Sequence, residues 1–142
     1  MRGLAGLLRA RKAQEDVARG KAQRARLEAA AAAERVRRYE EALGLRRVPE
    51  SLDARAYVAT LTAHRAMAEA LTASVTLATQ AEGVVAERSA ELTEAAMRRR
   101  AVERLAERQA AQARRAADAA AEREIDDLTT AAQARIRREQ DS

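Results

Sequence analysis

From Leu4 to Leu43 the chain reads LAGLLRARKAQEDVARGKAQRARLEAAAAAERVRRYEEAL, and stepping through it alternately by four and three residues lands on Leu4, Leu8, Arg11, Glu15, Ala18, Ala22, Ala25, Ala29, Ala32, Val36, Tyr39 and Leu43. Ten of these twelve positions are apolar. A repeat averaging about 3.5 residues keeps one stripe of a helix turned toward a second helix, so the pattern predicts a helix over about 4–43 that needs a partner. The middle of the stripe is all alanine. Two backbones can approach closely there, but each layer buries little apolar area, and length has to compensate.

Working outward, the helix is expected to end at Gly44, a residue suited to the left-handed position that follows many helices, with Pro49 beyond it as a stop. Ser51 then offers an N-cap, with Asp53 in the first turn of a second helical region running from about Leu52 to Arg138. The β-branched stretch Thr72–Thr79 and Gly83 admit a bend in that region, and residues 139–142 are expected to fray. Two arrangements satisfy the first stripe. The chain turns near Pro49 and folds directly back, or Pro49 only kinks a first leg that turns within 72–83. Either way the fold class is all-α, an antiparallel two-helix coiled coil in which residues 1–142 form one elongated unit.

Composition supports long helices over a thick core. The 142 residues include no Phe, Trp or Cys and only two Tyr, Tyr39 and Tyr57; 47% are hydrophobic, mostly alanine, and 35% are charged. Five Gly and the single Pro49 are the only strong breakers. No apolar run approaches the ~18 residues that cross a bilayer, and the start, Met1-Arg2-Gly3-Leu4, meets charge too soon for a secretory signal, which places the chain in the cytoplasm. Without cysteine there is no thiolate chemistry, and His64, the one histidine, lacks the companions of a metal site. No glycine-rich phosphate loop and no nucleophile–base pair occurs, so neither an enzyme nor a cofactor is expected.

The net charge is +5, and the cations are almost all arginine. Residues 1–45 carry 11 basic and 6 acidic groups, 46–94 carry 5 and 7, and 95–142 carry 11 and 9, so the middle differs from both ends. Basic excess raises nucleic acid or anionic membrane as partners. Specific nucleic-acid binding would want the arginines on one face or interleaved with stacking rings. Here they are dispersed, so they read as helix-surface charge, part of it free to meet an acidic protein partner. Separately, Tyr57, Leu61, His64 and Ala68 fall at i, i+4, i+7 and i+11, one continuous helical stripe holding one of the two aromatic rings. Such a stripe is either coiled-coil seam or a face that binds another protein.

Toward the C-terminus, the run Ala96-Met97-Arg98-Arg99-Arg100-Ala101-Val102-Glu103-Arg104-Leu105-Ala106-Glu107-Arg108, followed by Glu122-Arg123-Glu124-Ile125-Asp126-Asp127-Leu128, resembles the flagellar export protein FliJ family. Length, the leucine-rich start at Leu4–Leu8 and the Tyr57/Leu61 stripe fit the same pattern. The resemblance implies a coiled-coil component of the flagellar type III export apparatus without ATPase activity. Its implied partners are the hexameric export ATPase, whose central pore it enters and whose assembly it promotes, the cytoplasmic domain of the membrane export gate, and export chaperones. Its implied location is cytoplasmic, peripherally associated with the inner face of the cell membrane. Carried over by position, Tyr57, Leu61, His64 and Ala68 correspond to the gate-binding stripe. Arg98, Arg99, Arg100, Arg104, Glu107, Arg108, Asp126 and Asp127 would face the ATPase.

Overall fold

The computed structural model describes residues 2–51 and 53–142 of the chain, and consists of two α-helices, α1 (Arg2–Leu45) and α2 (Ala54–Gln140), packed antiparallel as a helical hairpin. All twelve positions of the sequence stripe, Leu4 through Leu43, are buried or half-buried on α1, while most of their neighbours are exposed. The most deeply buried is Ala22, at 1% exposure. Its small side chain is what allows the opposing backbone to come close.

The facing seam on α2 runs through Ala56, Thr60, Ala63, Met67, Ala70, Ser74, Ala78, Ala81, Val85, Arg88, Leu92 and Ala95, and on through Arg99, Val102, Ala106 and Gln109. Most of these are small. Larger apolar residues of α2, among them Val58, Val75, Leu77 and Leu105, stand exposed instead. Arg88 and Arg99 keep the rhythm by laying their methylene stems along the seam, with the guanidinium reaching out to Glu91 at 3.0 Å and Glu103 at 2.7 Å respectively. Between Ala70 and Ala78 the seam takes two successive steps of four, centred on buried Ser74. That insertion locally unwinds a heptad pattern toward a straighter helix pair.

The structure separates into two compact units. The larger, Ala10–Arg98, holds most of α1, the connection, and the first half of α2. Lys21, Arg24, Ala25 and Glu28 line one shallow depression with Val84 and Arg88, which sets the register of the two helices there. Glu15 is buried in this unit and accepts a hydrogen bond from Arg19 at 3.1 Å. Its Arg19 partner stands one turn away on the same helix, so the charge is compensated where it enters the alanine seam. In the smaller unit, Met1–Arg9 with Arg99–Ser142, Leu4, Ala5 and Leu8 lie against Ala106 and Ala110, and Val102 is buried.

The turn falls at 46–53, between the helices, and α2 passes through 72–83 without interruption. Within this β-branched stretch the Thr72, Thr76 and Thr79 hydroxyls donate to the carbonyls four residues back, at 3.0–3.2 Å, which satisfies the side chains without leaving the helix, while Ser74 and Ala78 pack in the seam.

Two expected caps differ from what is found. Gly44 lies inside α1, and no glycine has positive φ, so the helix does not end in a left-handed cap. It ends one residue later, where the Arg46 N–H donates to the Leu43 carbonyl at 3.3 Å and Pro49 bars Val48 from the helical region. Asp53, rather than Ser51, is the N-cap of α2: its Oδ1 accepts from the Ala56 N–H at 2.7 Å, and its carbonyl accepts from Tyr57. The expected start at Leu52 lies outside the described residues. Asp53→Ala is accordingly expected to cost about 1 kcal/mol, read as a lowered thermal midpoint, whereas Ser51→Ala should leave it unchanged.

Candidate partner-binding surface

The first turns of α2 carry two parallel stripes. Ala56, Thr60, Ala63 and Met67 form the seam, and Tyr57, Leu61, His64 and Ala68 lie about 100° further round the helix, within an arc of about 60°. All four members of the second stripe are exposed, Tyr57 by 51% and Leu61 by 39%. The stripe is therefore surface and not seam. It is held by a helix whose other face is packed, so its side chains project from a fixed backbone.

The connection frames one end of this surface. Arg46, Arg47, Val48 and Pro49 line a notch with Ala59, Thr60, Ala63 and His64, which brings two arginines beside the histidine ring. Leu45, Val48 and Val58 are also exposed at this end of the hairpin, at 82%, 54% and 61%. Sequence reasoning did not single out these three, and it reads Arg46 and Arg47 only as one of several dispersed arginine clusters. The signal that finds them is their position next to the turn, where large apolar side chains have no opposing helix to cover them. An apolar patch rimmed by positive charge suits an acidic protein surface with apolar pockets.

The arginine-rich candidates do not form one site. Arg98 belongs to the larger unit and pairs with Glu94. Arg99 is in the seam of the smaller unit and pairs with Glu103. Arg100, Arg104, Glu107 and Arg108 share one exposed face at i, i+4, i+7 and i+8. Asp126 and Asp127 are exposed about five turns beyond Arg108 and point to different sides of the helix. Three consecutive arginines on a helix are fanned by 100° each, so no single partner surface can meet all of them.

No group of three metal-ligating side chains gathers among the described residues, and no described helix is long and apolar enough to cross a membrane. Comparison with protein-family models, curated proteins and solved structures returns no match.

Proposed function

We propose that the chain is a coiled-coil component of a flagellar type III export apparatus. It inserts in the hexameric export ATPase, promotes its assembly and activity, and couples it to the membrane export gate and to export chaperones. It works in the cytoplasm, held at the inner face of the membrane by its partners and not by a span of its own. The observation that carries the reading is the exposed Tyr57, Leu61, His64, Ala68 stripe on a packed helix, in the place where the resemblance puts the gate contact.

The mechanism asks nothing of side-chain chemistry. A pair of α-helices is about 20 Å across, narrow enough to enter the channel of a ring. The exposed Arg100, Arg104 and Arg108 face meets acidic loops by charge pairing that tolerates rotation. Some of the other arginines are engaged by glutamates on their own helix, as in Arg37–Glu34, Arg88–Glu91 and Arg98–Glu94, so part of the basic surface is answered locally.

Purified protein is expected to bind the export ATPase of the same cell at about 150 mM salt and to raise its turnover. Failure of both at that salt removes the reading. Binding to DNA or anionic vesicles that persists at the same salt, with a steep logarithmic salt slope, would assign the arginines to a polyanion instead.

A further inference from the structure

Near the turn, α1 runs out before the seam of α2 does. In the larger unit Ala25 lies beside Arg88, and counting seam layers from there toward the turn brings Leu43, the last of the α1 stripe, opposite Ala70. Ala56, Thr60, Ala63 and Met67 are left with no layer of α1 facing them, yet all four are half-buried. What covers this stretch is the connection. Arg46, Arg47, Val48 and Pro49 lie along Ala59, Thr60, Ala63 and His64, and together they form an open notch of about 420 Å³.

The lining is one-sided in charge. Two guanidinium groups and an imidazole stand on its wall, and no carboxylate does. The acids nearest in sequence, Glu50 and Asp53, are not part of the lining, and the Asp53 carboxylate is engaged in capping α2, with Oδ1 2.7 Å from the Ala56 nitrogen. Thr60 donates its hydroxyl to the Ala56 carbonyl at 2.9 Å. Among the described residues neither Arg46 nor Arg47 is in an ion pair, whereas Arg19, Arg37, Arg38, Arg88 and Arg98 each pair with an acid within four residues on their own helix. The two arginines of the notch keep their charge for something else.

We propose that this notch is an oxyanion site, and that its occupant is a side-chain carboxylate of the protein that covers the neighbouring stripe. Cations set round a concave surface with no acid of their own favour an anionic guest, and two guanidinium forks can take both oxygens of a carboxylate. His64 joins the site to the stripe, because it lines the notch and is also the third member of the row begun by Tyr57 and Leu61. A partner lying on Tyr57 and Leu61 therefore reaches the notch within one further turn of α2. The apolar row anchors such a partner, and the charged notch fixes its register. Naming the partner as the export gate rests on the export reading; the oxyanion site itself does not.

The chain has one histidine, so the ring signals of His64 in a magnetic resonance spectrum report on the notch without ambiguity. In the full chain, at constant pH and ionic strength, inorganic phosphate should shift them saturably, with a dissociation constant on the order of 1–10 mM, and matched chloride should not. Arg46→Gln with Arg47→Gln should abolish that response with helicity kept, and should weaken binding to the cytoplasmic domain of the export gate at least about tenfold. Tyr57→Ala with Leu61→Ala should lose gate affinity but retain the phosphate response.

A His64 shift that chloride reproduces, or one that survives in the double glutamine variant, overturns the site. Saturable phosphate binding together with unchanged gate affinity in that variant overturns the carboxylate occupant and makes the notch a site for free phosphate. If the parent chain does not bind the gate domain at all, the export reading falls, and the phosphate response of His64 alone decides the oxyanion site.

Discussion

Ala22→Glu is expected to be the most damaging single substitution in the larger unit, lowering its thermal midpoint by about 10–15 °C. The residue is 1% exposed and lies in the seam between Ala18 and Ala25, both also buried. A glutamate there has to force the helices apart, an overpacking cost of about 1–3 kcal/mol. It also carries a carboxylate into the alanine seam, where desolvation adds a further cost of about 1–3 kcal/mol. Proteins of this size are stable by only about 5–15 kcal/mol. A hairpin whose buried core among the described residues is Ala18, Ala22, Ala25 and Val102 belongs at the low end. Ala22→Leu, which adds volume without charge, should lie between the two. Ala31→Glu, at an exposed position further along the same helix, should change stability by less than about 0.5 kcal/mol. If Ala22→Glu melts with Ala31→Glu, close approach of the helices at the alanine layers is not what holds this fold.

The same alanines explain which parts of the fold could be read from sequence. On α1 the seam is legible because its ends are leucine, valine and tyrosine and its interior is alanine flanked by charge, so the step of four and three is unambiguous from Leu4 to Leu43. On α2 the rule inverts. Its seam, although it includes Met67, Val85, Leu92 and Val102, is mostly Ala, Thr, Ser and two arginines, while Val58, Leu61, Val75 and Leu77 point elsewhere. A search for large apolar residues at helical spacing finds the wrong stripe first, because the interface is tight enough to prefer small side chains. The two steps of four about Ser74 hide the phase further, since positions before and after it belong to different heptad frames.

Turn placement was undecided by sequence for a related reason. Threonine-rich residues 72–79 have poor intrinsic helix propensity, and it is the packing of Ala70, Ser74 and Ala78 in the seam that carries the helix through them, with the hydroxyls satisfied by carbonyls four residues back. Gly44 misled in the opposite sense. Glycine permits a left-handed cap but does not require one, and here Pro49 is enough to end the helix. At the candidate surface, spacing alone grouped Tyr57 with Leu61, His64 and Ala68, but spacing is equally compatible with seam and surface. Only the phase of the neighbouring stripe, Ala56 through Met67, separates them.

That phase difference makes the second large effect a clean one. Tyr57→Ala with Leu61→Ala is expected to weaken binding to the cytoplasmic domain of the export gate by at least about thirtyfold, since a buried aromatic anchor at an interface is commonly worth about 2 kcal/mol or more. Both side chains already face solvent in the free chain, so their loss removes little that stabilises the hairpin. Alanine also favours helix over tyrosine by a few tenths of a kcal/mol, at about its general level. The thermal midpoint should therefore stay within about 2 °C of the parent. Met67→Ala reverses the pattern: Met67 is half-buried in the seam beside the stripe, and truncating it should lower the midpoint by several degrees while leaving gate affinity within about threefold. The two variants sit ten residues apart or less on one helix, so a general loosening of α2 would move both readouts in both proteins. Separate losses, affinity in one and stability in the other, are what two stripes about 100° apart on one rigid helix require. If the double variant loses affinity and midpoint together, Tyr57 and Leu61 support the fold and the gate contact lies elsewhere.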